Sequence, residues 1–215
     1  MTRRIADICF ALVAIALLAP ALIVMAVAIR VDSAGSPLYR GWRVGRGGRR
    51  FRMWKFRTMV PGADKAGPGI TGNRDPRITR LGQFLRKTKL DELPQFFNLL
   101  AGDLTIVGPR AEVPEIVDHY TSSQRRVLAA KPGVTGVGAL HYTVAQAPQI
   151  PEGVPADRYY VEHLLNEKLQ LEMDYERSRN AVRDLRVIAV TAAMVLGALL
   201  PPFSRPRRDV QTSGR

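Results

Sequence analysis

ICFALVAIALLAPALIVMAVAI, residues Ile8 to Ile29, is a run of 22 residues without a charge. As a helix it would reach about 33 Å, enough for the hydrocarbon core of a bilayer. Its flanks decide how it would sit there. Arg3 and Arg4 precede it, Arg30 closes it, and the stretch from Arg30 to Arg57 holds nine basic residues against the single acidic Asp32. Basic residues favour the cytoplasmic side, so positive charge at both ends predicts that both ends stay on that side. Pro20 lies near the middle, where it removes a helical hydrogen bond and crowds the preceding turn, so a kink is expected. Ala19-Pro20 then becomes the apex of a re-entrant helical hairpin. A straight span containing a proline is the competing reading, and a cleaved signal peptide is a third. Against the third, the run is long for a signal-peptide core and Arg30 falls where an uncharged cleavage region belongs.

Outward from this segment, the 215-residue chain has room for one main domain with a buried core. Its 32 basic against 19 acidic side chains give a formal charge of +13, which calls for a polyanionic partner: anionic membrane lipids, phosphorylated substrates or nucleic acid. Nothing resembles a nucleic-acid-binding motif, so no nucleic acid partner is expected. The single Cys9 excludes an internal disulfide framework, and His119, His141 and His163 lack zinc-ligand spacing.

Leu38 to Val44 and Phe51 to Met59, joined by Gly45-Arg46-Gly47-Gly48, predict a β-hairpin. Pro61 to Asp75 is glycine-rich and polar, hence a surface loop. Leu81, Phe84 and Leu85 mark one helix, and Leu93, Phe96, Phe97 and Leu100 a second that ends at Gly102. Glu112 to Tyr120 and Ser123 to Ala130 are weaker helices, Pro132 to Gly136 is a turn, and Ala145 to Pro155 is a Pro-rich loop. Ala156 to Asn180 reads as one long helix. Val187 to Leu200 is apolar but too short to span; flanked by arginines, it reads as an interfacial helix or as a buried one. The expected fold is α+β and predominantly helical, with the membrane hairpin over 1–34, a cytoplasmic domain over 35–186, and an interfacial helix with a basic tail over 187–215.

Asp91-Glu92 stands before Leu93-Pro94, and proline is tolerated only in the first turn of a helix, so both carboxylates fall at a helix start. That position suits a negative charge, although capping alone also explains an acidic pair there. Arg86 precedes it closely. Val107-Gly108-Pro109-Arg110 is a rigid turn presenting a guanidinium, the side chain best shaped to grip phosphate. Trp54 to Met59 sets Lys55 and Arg57 among aromatics, equally suited to lipid headgroups and to a substrate phosphate.

In order along the chain, Ile5-Ala6-Asp7, the apolar segment with Pro20, Arg40 to Gly48, Lys55-Phe56-Arg57-Thr58-Met59, Thr79-Arg80-Leu81-Gly82, Leu85-Arg86, Leu90-Asp91-Glu92-Leu93-Pro94-Gln95, Asn98, Gly102-Asp103, Val107-Gly108-Pro109-Arg110 and Lys131 to Gly136 together resemble the bacterial sugar transferase family, small monotopic phosphoglycosyl transferases. The resemblance covers about residues 3 to 200. It implies a catalytic domain on the cytoplasmic face of the bacterial inner membrane that moves a sugar 1-phosphate from a UDP-sugar to a polyprenyl (undecaprenyl) phosphate and releases UMP. It also implies a covalent intermediate on Asp91 and a place as the first membrane step of a cell-surface glycan pathway. By the same resemblance Asp91 is the catalytic nucleophile with Glu92 beside it, either as general base or holding geometry, and Lys55, Arg86 and Arg110 lie near the substrate phosphates or at the membrane face. Arg57 is a further candidate for substrate phosphate, and Mg²⁺, expected wherever a diphosphate is cleaved, would take Asp91 and the diphosphate as ligands. Two departures stand out. The family's apex commonly reads Ser-Pro where this chain has Ala19-Pro20. Many members continue the Pro-Gly-x-Thr-Gly turn with an aromatic-Ala-Gln segment and an Asn-Gly-Arg, where this chain has Val137 to Thr143, so His141 or Tyr142 is either a substitute contact or a packed side chain.

Overall fold

The structure is a computed structural model and describes residues 2–63, 75–146, 150–151 and 154–199. The apolar segment forms one helix, α1 (Thr2–Asp32), with Pro20 inside it. It continues through Ala19 and Pro20 rather than breaking into two arms joined by a loop, since one proline deletes a single hydrogen bond of the ladder. Among the described residues α1 is the one helix long and apolar enough to cross a membrane, with an 18-residue stretch whose mean hydropathy is 2.9.

Both ends of α1 are fastened to the same domain. Near its start, Arg4 donates to the carbonyls of Leu99 and Leu100 at 2.7 Å each, and the buried Asp7 accepts from Thr105 Oγ1 and the Ile106 N–H at 3.0 Å. Near its end, Ile29 is buried against Phe56 and Leu85, and Arg57 donates to the carbonyls of Ser33 and Ala34. Between these ties Leu12, Leu17, Ile23 and Val24 are exposed.

The expected hairpin is present as β1 (Leu38–Val44) and β2 (Arg50–Phe56), antiparallel, with Leu38 opposite Phe56 and Val44 opposite Arg50. Thr79 caps α2 (Arg80–Thr88) by accepting the Gly82 N–H at 2.9 Å. A Cβ on Gly82 would fall 2.0 Å from the Thr58 carbonyl, so glycine lets this helix start press against the chain leaving β2. Lys89, at φ 62°, ends α2 in the left-handed region and swings the chain into a 3₁₀ turn, Leu90–Glu92. Pro94 then opens α3 (Gln95–Ala101), which stops at Gly102 with φ 93°. Asn98, buried inside α3, accepts the Trp54 N–H and donates to the Arg52 carbonyl, closing the free edge of β2.

Residues 132 to 136, read from sequence as a turn, contribute instead β4 (Gly133–Thr135), which pairs in parallel with β3 (Thr105–Val107). Three-residue strands are too short to show alternation. Gly108 and Gly133 lie so close that a Cβ on either would clash with the other segment's backbone. After α4 (Pro114–Val117), a 3₁₀ segment (Gln124–Ala129) and α5 (Val137–His141), the long helix expected from Ala156 arrives as α6 (Ala156–Tyr159), a π turn (Tyr160–Leu164) and α7 (Leu165–Ser178). The main core joins Val44, Ile116, Tyr120, Tyr160, Leu164 and Leu169.

α8 (Ala181–Leu199) combines the two readings of the C-terminal apolar stretch. Val187 is buried with Val107 and Tyr175, and Thr191 shares a hydroxyl bond of 2.6 Å with Thr135, whereas Val182, Leu185, Val190 and Leu196 are exposed. Residues 64–74 of the loop expected over 61–75, residues 147–149 and 152–153 of that over 145–155, and the basic tail beyond Leu199 lie outside the described residues.

Candidate active site

Asp91 and Glu92 sit side by side in the 3₁₀ turn between α2 and α3, and their surroundings drive them apart. α3 is only seven residues long, so the cations around the pair matter more than a helix dipole. Glu92 Oε1 is 2.8 Å from Lys55 Nζ and 2.8 Å from Arg110 Nη2, and Arg110 Nη1 reaches Oε2 at 3.5 Å. Burial alone would raise the Glu92 pKa, but Arg110 and Lys55 together outweigh it and hold the carboxyl well below the usual range. Asp91 is buried too, and there burial prevails: its pKa is raised, with Lys55 opposing and the charge of Glu92 adding to the rise. Among the described residues no hydrogen bond reaches the Asp91 carboxylate, so its lone pairs are uncommitted. Glu92 is therefore a fixed anion locked among cations, and Asp91 is the more basic carboxylate of the two.

Lys55 projects from β2 toward Glu92, and its pKa is lowered chiefly by burial, with Glu92 resisting. Arg110, brought up by the turn after β3, has its pKa raised chiefly by Glu92. Arg86, on the last turn of α2, donates from Nε to Thr58 Oγ1 at 2.8 Å and lies within the field of Asp91. Three of the four cations read from sequence thus converge on the acidic pair. The fourth goes elsewhere: the guanidinium of Arg57 is occupied with Ser33 and Ala34 at the end of α1. β2 stops at Phe56, so the alternation that would set residue 57 beside residue 55 no longer holds.

Behind Arg110 lies a second charged cluster that sequence reasoning missed. Glu172 Oε1 accepts the backbone N–H of Arg110 at 3.0 Å, Lys168 Nζ bridges Glu112 at 2.5 Å and Glu172 at 3.5 Å, and the Tyr160 hydroxyl donates to Glu112 at 2.6 Å. The only sequence signal was Glu112, two residues past Arg110. Tyr142, open in sequence between contact and packing, packs edge-on against Tyr160 at 5.3 Å, and His141 Nε2 lies 3.2 Å from Glu167.

Among the described residues no three His, Cys, Asp or Glu side chains gather into a metal site. With Glu92 taken by Lys55 and Arg110, the acidic pair offers Mg²⁺ one carboxylate among the described residues, Asp91. That suits a cation arriving on a diphosphate, since Mg²⁺ commonly takes one or two carboxylates and otherwise phosphate and water oxygens.

A buried carboxylate and a cation-clamped one, set near Lys55, Arg86 and Arg110 on a domain fastened to both ends of a long apolar helix, form an arrangement suited to phosphate groups. The chain matches the bacterial sugar transferase family over residues 1–198 and belongs to it. It is 35% identical over 167 residues to a UDP-N-acetylgalactosamine-undecaprenyl-phosphate N-acetylgalactosaminephosphotransferase of Aeromonas hydrophila, covering 75% of this chain and 39% of that one. It is 34% identical over 202 residues to a UDP-glucose:undecaprenyl-phosphate glucose-1-phosphate transferase of Xanthomonas campestris pv. campestris (92% of this chain, 39% of the relative). A Caulobacter vibrioides protein of the same description is 32% identical over 199 residues (91% and 70%). The chain therefore spans well under half the length of the first two.

Proposed function

We propose that this chain transfers a sugar 1-phosphate from a UDP-sugar to undecaprenyl phosphate through a covalent intermediate on Asp91. The carrying observation is the split between neighbouring carboxylates: Glu92 is saturated by Lys55 and Arg110, and Asp91 is basic and uncommitted. In the first half-reaction an Asp91 oxygen attacks the sugar-bearing phosphorus. The bond from that phosphorus to the bridging oxygen breaks, and UMP leaves with the oxygen. In the second, an oxygen of undecaprenyl phosphate attacks the acyl phosphate, forming the undecaprenyl diphosphate sugar and returning the carboxylate. The acceptor is a phosphate, largely ionised at neutral pH, so no strong general base is required. Glu92, held far below its ordinary pKa, would be a poor one; its role is to fix Lys55 and Arg110, whose remaining donors face the diphosphate. Bound Mg²⁺, held by Asp91 and the diphosphate, would neutralise charge on the departing phosphate.

The acceptor's tail requires a site at the bilayer surface. With Arg4 and Asp7 near one end of α1, and Ile29 and the Ser33 and Ala34 carbonyls near the other, tied to one domain, a re-entrant α1 with Ala19-Pro20 deepest is favoured over a straight span. Tags at residues 1 and 32 should both be cytoplasmic; finding them in different compartments would leave only the span. The proposed setting is the bacterial cytoplasmic membrane, at the first membrane step of a cell-surface glycan pathway. The activity is tested by incubating membranes carrying the protein with a panel of UDP-sugars, Mg²⁺ and undecaprenyl phosphate. Lipid-dependent UMP release with one donor is expected, and its absence with every donor would end the proposal.

A further inference from the structure

The two faces of the β1–β2 hairpin do different work. Lys55 turns inward to Glu92, and Gly41 and Met53 are buried. On the outward face Arg40 stands opposite Trp54 and Trp42 opposite Arg52, each guanidinium lying over the ring across from it, 4.2 Å and 4.6 Å from the centroids. Trp42 is 50% exposed, and both arginines are exposed. Such pairs also decorate ordinary surfaces, so the surroundings must decide. No acidic residue occurs between Asp32 and Asp64, so this face carries cations with no sequence-local anion. An arginine stacked flat on tryptophan keeps its donor edges outward, the geometry that accepts phosphate oxygens.

The face is also continuous with the membrane helix. Trp54 meets Phe97 edge-on at 6.3 Å, and the neighbouring Phe96 meets Phe10 of α1 at 5.9 Å; Phe97 and Phe10 are both exposed. At the open end of the hairpin, Leu38 and Phe56 pack with Ile29, near the C-terminal end of α1. An aromatic path rimmed by arginines, leading off an apolar helix, has the composition of a membrane interface, where tryptophan rings sit at headgroup level and cations meet lipid phosphate.

We propose that the Arg40–Trp54 and Trp42–Arg52 face is a docking surface for anionic phospholipid headgroups. It rests on the reading above that α1 enters a bilayer. Docking there holds Lys55, on the other face of the same strand, at the depth where an acceptor phosphate arrives.

Trp42 and Trp54 are the only two tryptophans in the chain, so its tryptophan emission, excited beyond the tyrosine band, reports on this face alone. The full chain is reconstituted in phosphatidylethanolamine vesicles with or without phosphatidylglycerol and with lipids brominated near the headgroup end of the acyl chain. With phosphatidylglycerol, most of the emission should be lost to the brominated lipid and little to aqueous iodide. Trp42→Phe and Trp54→Phe should each retain a lipid-quenched signal. The double variant R40A/R52A should lose the dependence on phosphatidylglycerol while still cosedimenting with vesicles. Emission quenched by iodide and indifferent to brominated lipid, in protein that cosediments, would overturn the docking surface and leave α1 insertion standing. Failure to cosediment would overturn both. Protection from iodide by UDP-sugar in detergent, or by raising protein concentration, would assign the face to the donor or to a second copy and overturn the lipid proposal.

Discussion

Glu92 at the edge of the site and Glu112 behind it are each clamped by cationic side chains, and in each cluster a second carboxylate is left at a disadvantage. Glu112 takes Lys168 and Tyr160, which overcome its burial and hold its pKa at about 2, while the pKa of its companion Glu172 is raised, chiefly by burial. Glu92 takes Lys55 and Arg110, and Asp91 is raised for the same reason. The clusters differ in access. The Lys168 and Glu172 side chains are each 1% exposed and that of Glu112 11%, and a Cβ on Gly138 would collide with Glu172, so the inner cluster is the more enclosed. Lys55, Glu92 and Arg110 are 16%, 18% and 30% exposed. The same electrostatic arrangement serves as a fastening where it is enclosed and as the proposed reaction site where it is more open. Arg110 joins the two, its guanidinium on Glu92 and its backbone on Glu172.

The comparison breaks first at Asp91. Asp91→Asn should lower UMP release by at least about three orders of magnitude. It should also raise the melting temperature in detergent, because folding disfavours the ionised form of a carboxyl whose pKa is raised in the native state. A variant that is inactive and less stable would contradict the assignment of burial as the dominant influence. Glu92→Gln should slow turnover about 100-fold, the scale of losing organised charge in a site, because Lys55 and Arg110 lose their common anchor.

Lys168→Met tests the inner cluster. Removing the one cation between two buried carboxylates should cost about 3–5 kcal/mol of stability, read by denaturant unfolding. Acid sharpens the contrast. A carboxyl whose folded pKa is depressed contributes stability that is present above its unfolded value of about 4.3 and is lost as pH falls toward the folded value. For Glu112 that window closes at about pH 2. Asp91 and Glu172, with raised values, act with the opposite sign, since protonation relieves them. Glu112→Gln should therefore flatten the acid limb of the stability curve, followed by circular dichroism. The smallest effect belongs to Arg57→Ala, which removes the cap on α1: about 1 kcal/mol of stability with turnover nearly unchanged, measured by melting and by UMP release.

Legibility in the sequence tracked the range of the interactions. The apolar helix, the hairpin, α2 and α3 each carry their own periodicity or turn residues, and Asp91-Glu92 before Pro94 is a local pattern. The parallel pairing of β3 with β4 was hidden because strands of three residues show no alternation. The inner cluster joins Glu112 to Lys168 and Glu172 across more than fifty positions, and nothing local in α7 marks those two as buried. Arg57 shows the converse: its neighbours suggested a phosphate ligand, and only the packing of α1 against the end of β2 reveals a helix cap. The polar ties of α1 through Arg4 and Asp7 are likewise long-range.

The central claim, that Asp91 carries the phosphosugar, is tested most directly by trapping it. The protein is mixed with a UDP-sugar radiolabelled at the sugar-bearing phosphorus, without undecaprenyl phosphate, quenched and digested. Label should be recovered on the peptide containing Asp91, should be released by hydroxylamine as an acyl phosphate is, and should move to lipid when the acceptor is supplied before the quench. An enzyme that turns over with acceptor present yet shows no bound label without it, or label on another residue, would contradict the account.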